Sequence, residues 1–180
     1  TALLLHFNEA NGTTVGITDM ASTTRVITAN GNASTTSATT QLGMGNSAAF
    51  DGTGDYLTIS SSSDWNFGTG DFTIDVWVYY TGTNDSISWF MPSNRQFPGI
   101  VFGYVTGGNY VMSASSNGTS NEIANARNIG AQTLNTWMHY ALVRSGNSFY
   151  VFKNGNQVDT FTSSLGIFYE AGDAYIGKYW

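Results

Sequence analysis

The stretch WMHYALVRSGNSFYVFKNGNQVDTF, residues 137–161, decides the fold class. Met138, Tyr140 and Leu142 alternate with His139, Ala141 and Val143, the period of two that sends successive side chains to opposite faces of a strand. Ser145, Gly146 and Asn147 turn the chain, and residues 149–153 lead into Asn154-Gly155. Asn-Gly between alternating apolar runs is the strongest short-range hairpin signal, because both residues tolerate positive φ. A chain built on such signals is a β protein.

Outward from this hairpin the same grammar repeats. Short apolar runs at 2–7, 25–29, 48–51, 56–60, 72–80, 87–91, 100–105, 110–114, 123–129, 138–144, 149–153, 158–161 and 174–177 are separated by Gly, Asn, Ser and Asp. Turns at that spacing predict a sandwich or barrel, and no segment carries a convincing helical period. In the run 72–80, Phe72, Ile74, Val76, Val78 and Tyr80 define a core face. Thr73, Asp75, Trp77 and Tyr79 define the opposite one, which is either a binding surface or is covered by a loop. Residues 30–45, rich in Ser, Thr, Asn and Ala, read as an extended surface connection.

Composition narrows the function classes. The 180 residues suit one domain with a sizeable core. Charged residues make up 10% against a usual value of about 25%, which describes a weakly charged β surface. A net charge of -6 argues against nucleic acid, whose affinity rests on Lys and Arg neutralising phosphates. No apolar run approaches a membrane span, and the absence of cysteine removes disulfides and thiolate metal sites. His6 and His139 are the only histidines and have no zinc-binding spacing, so His139 reads as a hydrogen-bonded core residue. Sequons at Asn11, Asn32, Asn84 and Asn117 are no more than this composition scatters by chance.

Five strings carry a family resemblance: FDGTGDYL at 50–57 followed by DWNFGTGDFTI at 64–74, then WMHYALVR at 137–144, the Asn154-Gly155 turn and Tyr175-Ile176-Gly177. Their order resembles the laminin-G-like members of the concanavalin A-like jelly-roll superfamily, of phage or bacterial style, over nearly the whole chain from Leu3 to Gly177. The resemblance implies a two-sheet antiparallel jelly-roll sandwich and a carbohydrate-binding or adhesive module, borne outside the cell or on a virion surface. It also implies a last strand beyond Tyr-Ile-Gly that pairs beside the first. The chain stops at Trp180, so a single domain over 1–180 lacking that strand is expected. The edge at Ala2, Leu3, Leu4, Leu5, His6 and Phe7 would then be completed by a longer chain, a neighbouring chain or a further copy.

Three sites follow as expectations. Catalysis by glucanase-like relatives needs clustered carboxylates, and Glu9, Glu122 and Glu170 are scattered, so no enzyme is expected. Calcium is a candidate at Asp51 and Asp55 in Asp-Gly-Thr-Gly-Asp, with Asp19 as a further ligand; the alternative is that both turn residues cap local amides. For a glycan or cell-surface polysaccharide, an aromatic platform with nearby polar groups is required. Trp89, Arg95 and Asn94 in the segment 86–98, with Asp85 immediately before it, supply one candidate, with Trp89 and Phe97 as core plugs the alternative. Trp77 and Tyr79 supply another. The competing class is a purely structural decoration or assembly domain of a virion or fibre.

Overall fold

The computed structural model describes residues 1–22, 24–41, 45–82, 87–104 and 110–178. The strands are β1 (Ile27–Asn30), β2 (Ser34–Thr36), β3 (Ser47–Ala49), β4 (Tyr56–Ile59), β5 (Phe72–Tyr79), β6 (Ile87–Phe90), β7 (Ile100–Tyr104), β8 (Tyr110–Ala114), β9 (Ala124–Asn128), β10 (Trp137–Ser145), β11 (Ser148–Lys153), β12 (Asn156–Thr162) and β13 (Ala174–Ile176). One layer is the antiparallel sheet β12-β11-β10-β5. The other joins β1-β4-β13 to β6-β7-β8-β9 through reciprocal backbone bonds between Met91 and Tyr175 (3.0 and 2.8 Å) and bonds from Ser88 to Lys178 and from Gly177 to Ser88 (3.1 and 2.7 Å). The two layers make the jelly-roll sandwich that the family resemblance implied.

The hairpin β10–β11–β12 forms as its turn residues dictate. Gly146, Asn154 and Gly155 take φ of 57°, 49° and 77°. The Asn154 side-chain oxygen accepts the His139 N–H at 2.8 Å while the Asn154 backbone N–H donates to the His139 carbonyl at 2.8 Å, so the second turn is clamped to β10. β5 pairs along the other edge of β10 with Trp77 opposite His139 and Asp75 opposite Ala141.

Between the layers lies a core in which Tyr140, Leu142, Phe149 and Val151 of the four-stranded sheet meet Trp89, Ile100, Phe102 and Tyr104 of the larger one. Phe72, Ile74, Val76 and Val78 pack against this core but remain half-buried, because β5 is the outer strand of its sheet. A second cluster gathers Ile27, Leu57, Ile59, Trp65, Phe90 and Ala174, and Phe67 and Ile74 pack against both.

Arg144 is 1% exposed. Its guanidinium donates to the carbonyls of Gly146 (2.9 Å), Gly68 (2.9 Å) and Ser163 (3.5 Å), and it stacks on Phe149. One charge thereby ties the 145–147 turn to two other loops, and burial lowers its pKa.

Two expectations are corrected. Residues 2–7 form no strand: Leu5 alone bridges Asp19. The Asp19 carboxylate takes the Leu4 N–H at 3.0 Å, Arg25 donates to the Ala2 carbonyl, and Phe7 has φ 52°, outside the extended region. Side-chain bonds thus replace a backbone ladder, while Ala2, Leu3, Leu5 and Phe7 still pack on the second cluster. Residues 30–45 are also more than a surface connection. Ala33 and Thr35 are buried, and β2 pairs with β3. Thr35 is held by its Oγ1, which accepts the Thr13 N–H at 2.9 Å, and that bond made a polar strand buriable.

Candidate functional site

Because β5 and β10 are antiparallel and in register, every second residue of each faces away from the core in matched rows. Row by row these are Thr73 with Val143, Asp75 with Ala141, Trp77 with His139 and Tyr79 with Trp137. β11 extends two of the rows, placing Tyr150 beside Val143 and Phe152 beside Ala141. The outer face of the four-stranded sheet therefore displays six aromatic or imidazole rings around one small residue, Ala141.

The rings are ordered by mutual contact. Trp77 is 38% exposed and its ring lies 5.1 Å from that of His139, tilted by 42°. Tyr79 and Trp137 sit 5.6 Å apart. The Asp75 carboxylate, with its side chain 67% exposed, stands 3.7 Å from His139 Nε2 and forms an ion pair with the imidazole when that is protonated. Trp137 Nε1 and both amide atoms of Gln132 are buried without a hydrogen-bond partner. Chemically, the face offers apolar ring surfaces, one open carboxylate and an imidazole.

The other sequence candidates fall elsewhere. Trp89 is not a surface platform: at 4% exposure it packs edge-on to Phe102 and Tyr104 and against Tyr140, with ring centroids 5.0, 5.5 and 4.5 Å away. Its Nε1 donates to the Tyr80 hydroxyl at 2.7 Å, so even its polar atom is satisfied inside the core. Arg95 and Asn94 are exposed. The Arg95 guanidinium bonds Glu170 at 2.9 Å and lies over the Phe168 ring, at a rim with no described contact to Trp77 or Tyr79. Asp85 lies outside the described residues.

The carboxylates named as calcium candidates are engaged by local backbone amides. Asp55 is buried; its two oxygens accept the N–H groups of Asn32 (2.7 Å) and Asp51 (2.9 Å), and Asp51 accepts that of Thr53 (2.7 Å). The turn is capped by its own carboxylates. Asp19 accepts backbone N–H groups from Leu4, Ala21 and Arg25 and faces the Arg25 guanidinium at 3.5 Å. Burial opposes its charged form, but these bonds outweigh burial and hold the carboxyl below its ordinary value. Among the described residues no three acidic or histidine side chains gather as a metal site.

Trp77 and Tyr79 are where the sequence placed them, whereas Trp137, His139, Tyr150 and Phe152 were missed as partners. His139 is a half-buried outer-face residue rather than a core histidine. The signal was present: in the run 137–144, Trp137 and His139 occupy the phase opposite to Met138, Tyr140 and Leu142. What the pattern lacked was the pairing of β10 with β5.

Several solved structures share this architecture. The binding domain of botulinum neurotoxin DC in complex with SialylT superposes with a TM-score of 0.62 at 12% identity, over 93% of this chain and 41% of that one. Domain 4 of AbnA, a GH43 extracellular arabinanase from Geobacillus stearothermophilus solved with arabinotriose, gives 0.60 at 15% identity over 88% of this chain and 76% of the other. The binding domain of botulinum neurotoxin serotype G gives 0.60 at 8% identity, over 89% and 40%. The chain thus spans about two fifths of the neurotoxin chains it resembles. No curated protein sequence matches it. No helix among the described residues is long and apolar enough to cross a membrane. The model of the laminin G-like group within the concanavalin A-like lectin/glucanases superfamily matches residues 51–180, the span that holds every strand of the two layers except β1 and every ring of the outer face, and the chain belongs to that family.

Proposed function

We propose that this domain binds carbohydrate, without catalysis, on the outer face of β5, β10 and β11, as a recognition module of an extracellular or virion-surface protein. The observation that carries the reading is the solvent-open Trp77 ring braced by His139, with the Asp75 carboxylate beside it. Sugar rings present an apolar C–H face and a rim of hydroxyls. A flat exposed indole takes the first, and a carboxylate and imidazole accept from or donate to the second. The neighbours' printed descriptions agree in kind: one is a toxin binding domain with SialylT, another an arabinanase domain with arabinotriose.

The non-catalytic part rests on the carboxylate inventory. Two flanking carboxylates are needed for glycoside hydrolysis. Among the described outward residues of β5, β10 and β11 only Asp75 carries one; Asp159, on the neighbouring β12, is held by Arg127 through bonds of 2.7 and 2.6 Å. A glycan array probed with the wild-type domain and the Trp77→Ala variant tests the reading. Specific signals that vanish in the variant support it, and a folded wild-type domain that binds nothing refutes it.

A second reading has its own observation. Val15, Met20, Val26 and Leu4 are exposed large apolar residues concentrated in the first 26 positions. These residues suit contact with a neighbouring chain in a virion or fibre. Sedimentation of the domain over a range of concentrations, compared with a Val15→Ser/Val26→Ser variant, separates an assembly role from the glycan role: self-association lost in the variant supports it, and a monomer at all concentrations opposes association between copies.

A further inference from the structure

Every Lys and Arg side chain of this protein is accounted for, and none serves the outer face. The sequence has six Lys and Arg residues. Arg25 is buried between Asp19 and Asp64 and over the Trp65 ring. Arg95 pairs with Glu170 and lies over the Phe168 ring. Arg127 grips Asp159 through two bonds and lies over Phe161. Arg144 is enclosed among loop carbonyls. Lys153 sits on β11 but turns inward, its Nζ donating to the Ala131 carbonyl at 3.3 Å and lying 5.8 Å from the ring of the fully buried Tyr140. Lys178 rests over Tyr56 and Tyr175, at 4.6 and 4.2 Å.

The face is left with Asp75 as its one fixed charge, in a molecule of net charge -6. A carboxylate, sulfate or phosphate on a sugar needs an Arg or Lys, or a cluster of aimed N–H groups, to replace its water. Here it would instead approach a solvent-open carboxylate within a negative field. Resting on the glycan reading above, we infer that the outer face selects uncharged glycans and rejects sialylated, sulfated and uronate-bearing ones, with Asp75 as the residue that discriminates. Hydroxyl groups of a neutral sugar can donate to that carboxylate, whereas an anionic substituent is repelled by it.

The test uses pairs of oligosaccharides sharing one neutral backbone, bare or carrying a sialic acid or sulfate, measured by titration calorimetry against the intact domain. Wild-type protein, Asp75→Asn, Asp75→Lys and Trp77→Ala are compared at about 50 and 300 mM salt. Expected are a preference of at least roughly tenfold for the bare member, near-constant affinity for it across the salt range, a preference narrowed in Asp75→Asn and erased or reversed in Asp75→Lys, and loss of binding in Trp77→Ala. Equal or tighter binding of the charged member, still dependent on Trp77, overturns this inference and leaves the glycan reading intact. Failure of the folded domain to bind either member, or binding indifferent to Trp77→Ala, overturns the assignment of the face and this inference with it.

Discussion

Trp89 and Trp77 are the same residue type on two neighbouring strands in sequence, and the fold gives them opposite fates. Trp89 lies in the seven-stranded layer and points into the sandwich, against Tyr140 of the opposite layer and beside Phe102 and Tyr104 of its own. Trp77 lies in the four-stranded layer and points away from it, 38% exposed, with a histidine for support. The difference teaches that aromatic content marks both core and recognition surface in a β-sandwich. Only the layer that covers a given phase of a strand separates the two.

Substitutions break that comparison most sharply at Trp89. Trp89→Ala should cost about 3–5 kcal/mol, the usual price of emptying a large core site, read as a lowered urea midpoint. Next comes Arg144→Ala, which strips the donors from three loop carbonyls and leaves them unsatisfied; a loss of about 2–4 kcal/mol is expected. A midpoint unchanged by this substitution would show that the carbonyls find water instead.

The Asp19 latch gives a pH-dependent effect. Its folded carboxyl lies below the ordinary 3.8, so its contribution is complete above that value and disappears as pH falls through the lower folded one. Asp19→Asn should therefore destabilise at neutral pH and converge with wild type in strong acid. Melting temperatures recorded from about pH 2 to 7 would show this, and parallel curves would contradict it.

Smallest in stability is Trp77→Ala, within about 0.5–1 kcal/mol, since an exposed ring loses little on removal. Its effect should fall on glycan binding instead. A variant that unfolds like Trp89→Ala would mean that Trp77 is structural, and the contrast between the two tryptophans would collapse.

Local chemistry made most of the fold legible. The Asn154-Gly155 turn, the phase of Met138, Tyr140 and Leu142, and the apolar run of β5 require only neighbours in sequence, and each took the place expected of it. β2 escaped notice because nothing in Ser34, Thr35 and Thr36 is apolar; the Thr35 hydroxyl is accommodated by a backbone partner 22 positions away. Residues 2–7 failed in the opposite direction, reading as a strand from composition while Asp19 and Arg25 held them by side-chain bonds.

Of the candidate site, the sequence by itself determined the rings and their phase: Trp77, Tyr79, Trp137 and His139 alternate with core residues because a strand repeats every two positions. The tertiary structure decided that β5 lies beside β10 in a register that sets Trp77 on His139 and Asp75 next to Ala141. It also decided that Trp89 faces inward and that every Lys and Arg side chain is engaged elsewhere. Period is a local property of the chain, whereas pairing and coverage depend on residues far apart in sequence, and a ring becomes a surface or a core only when a second layer covers it or leaves it open.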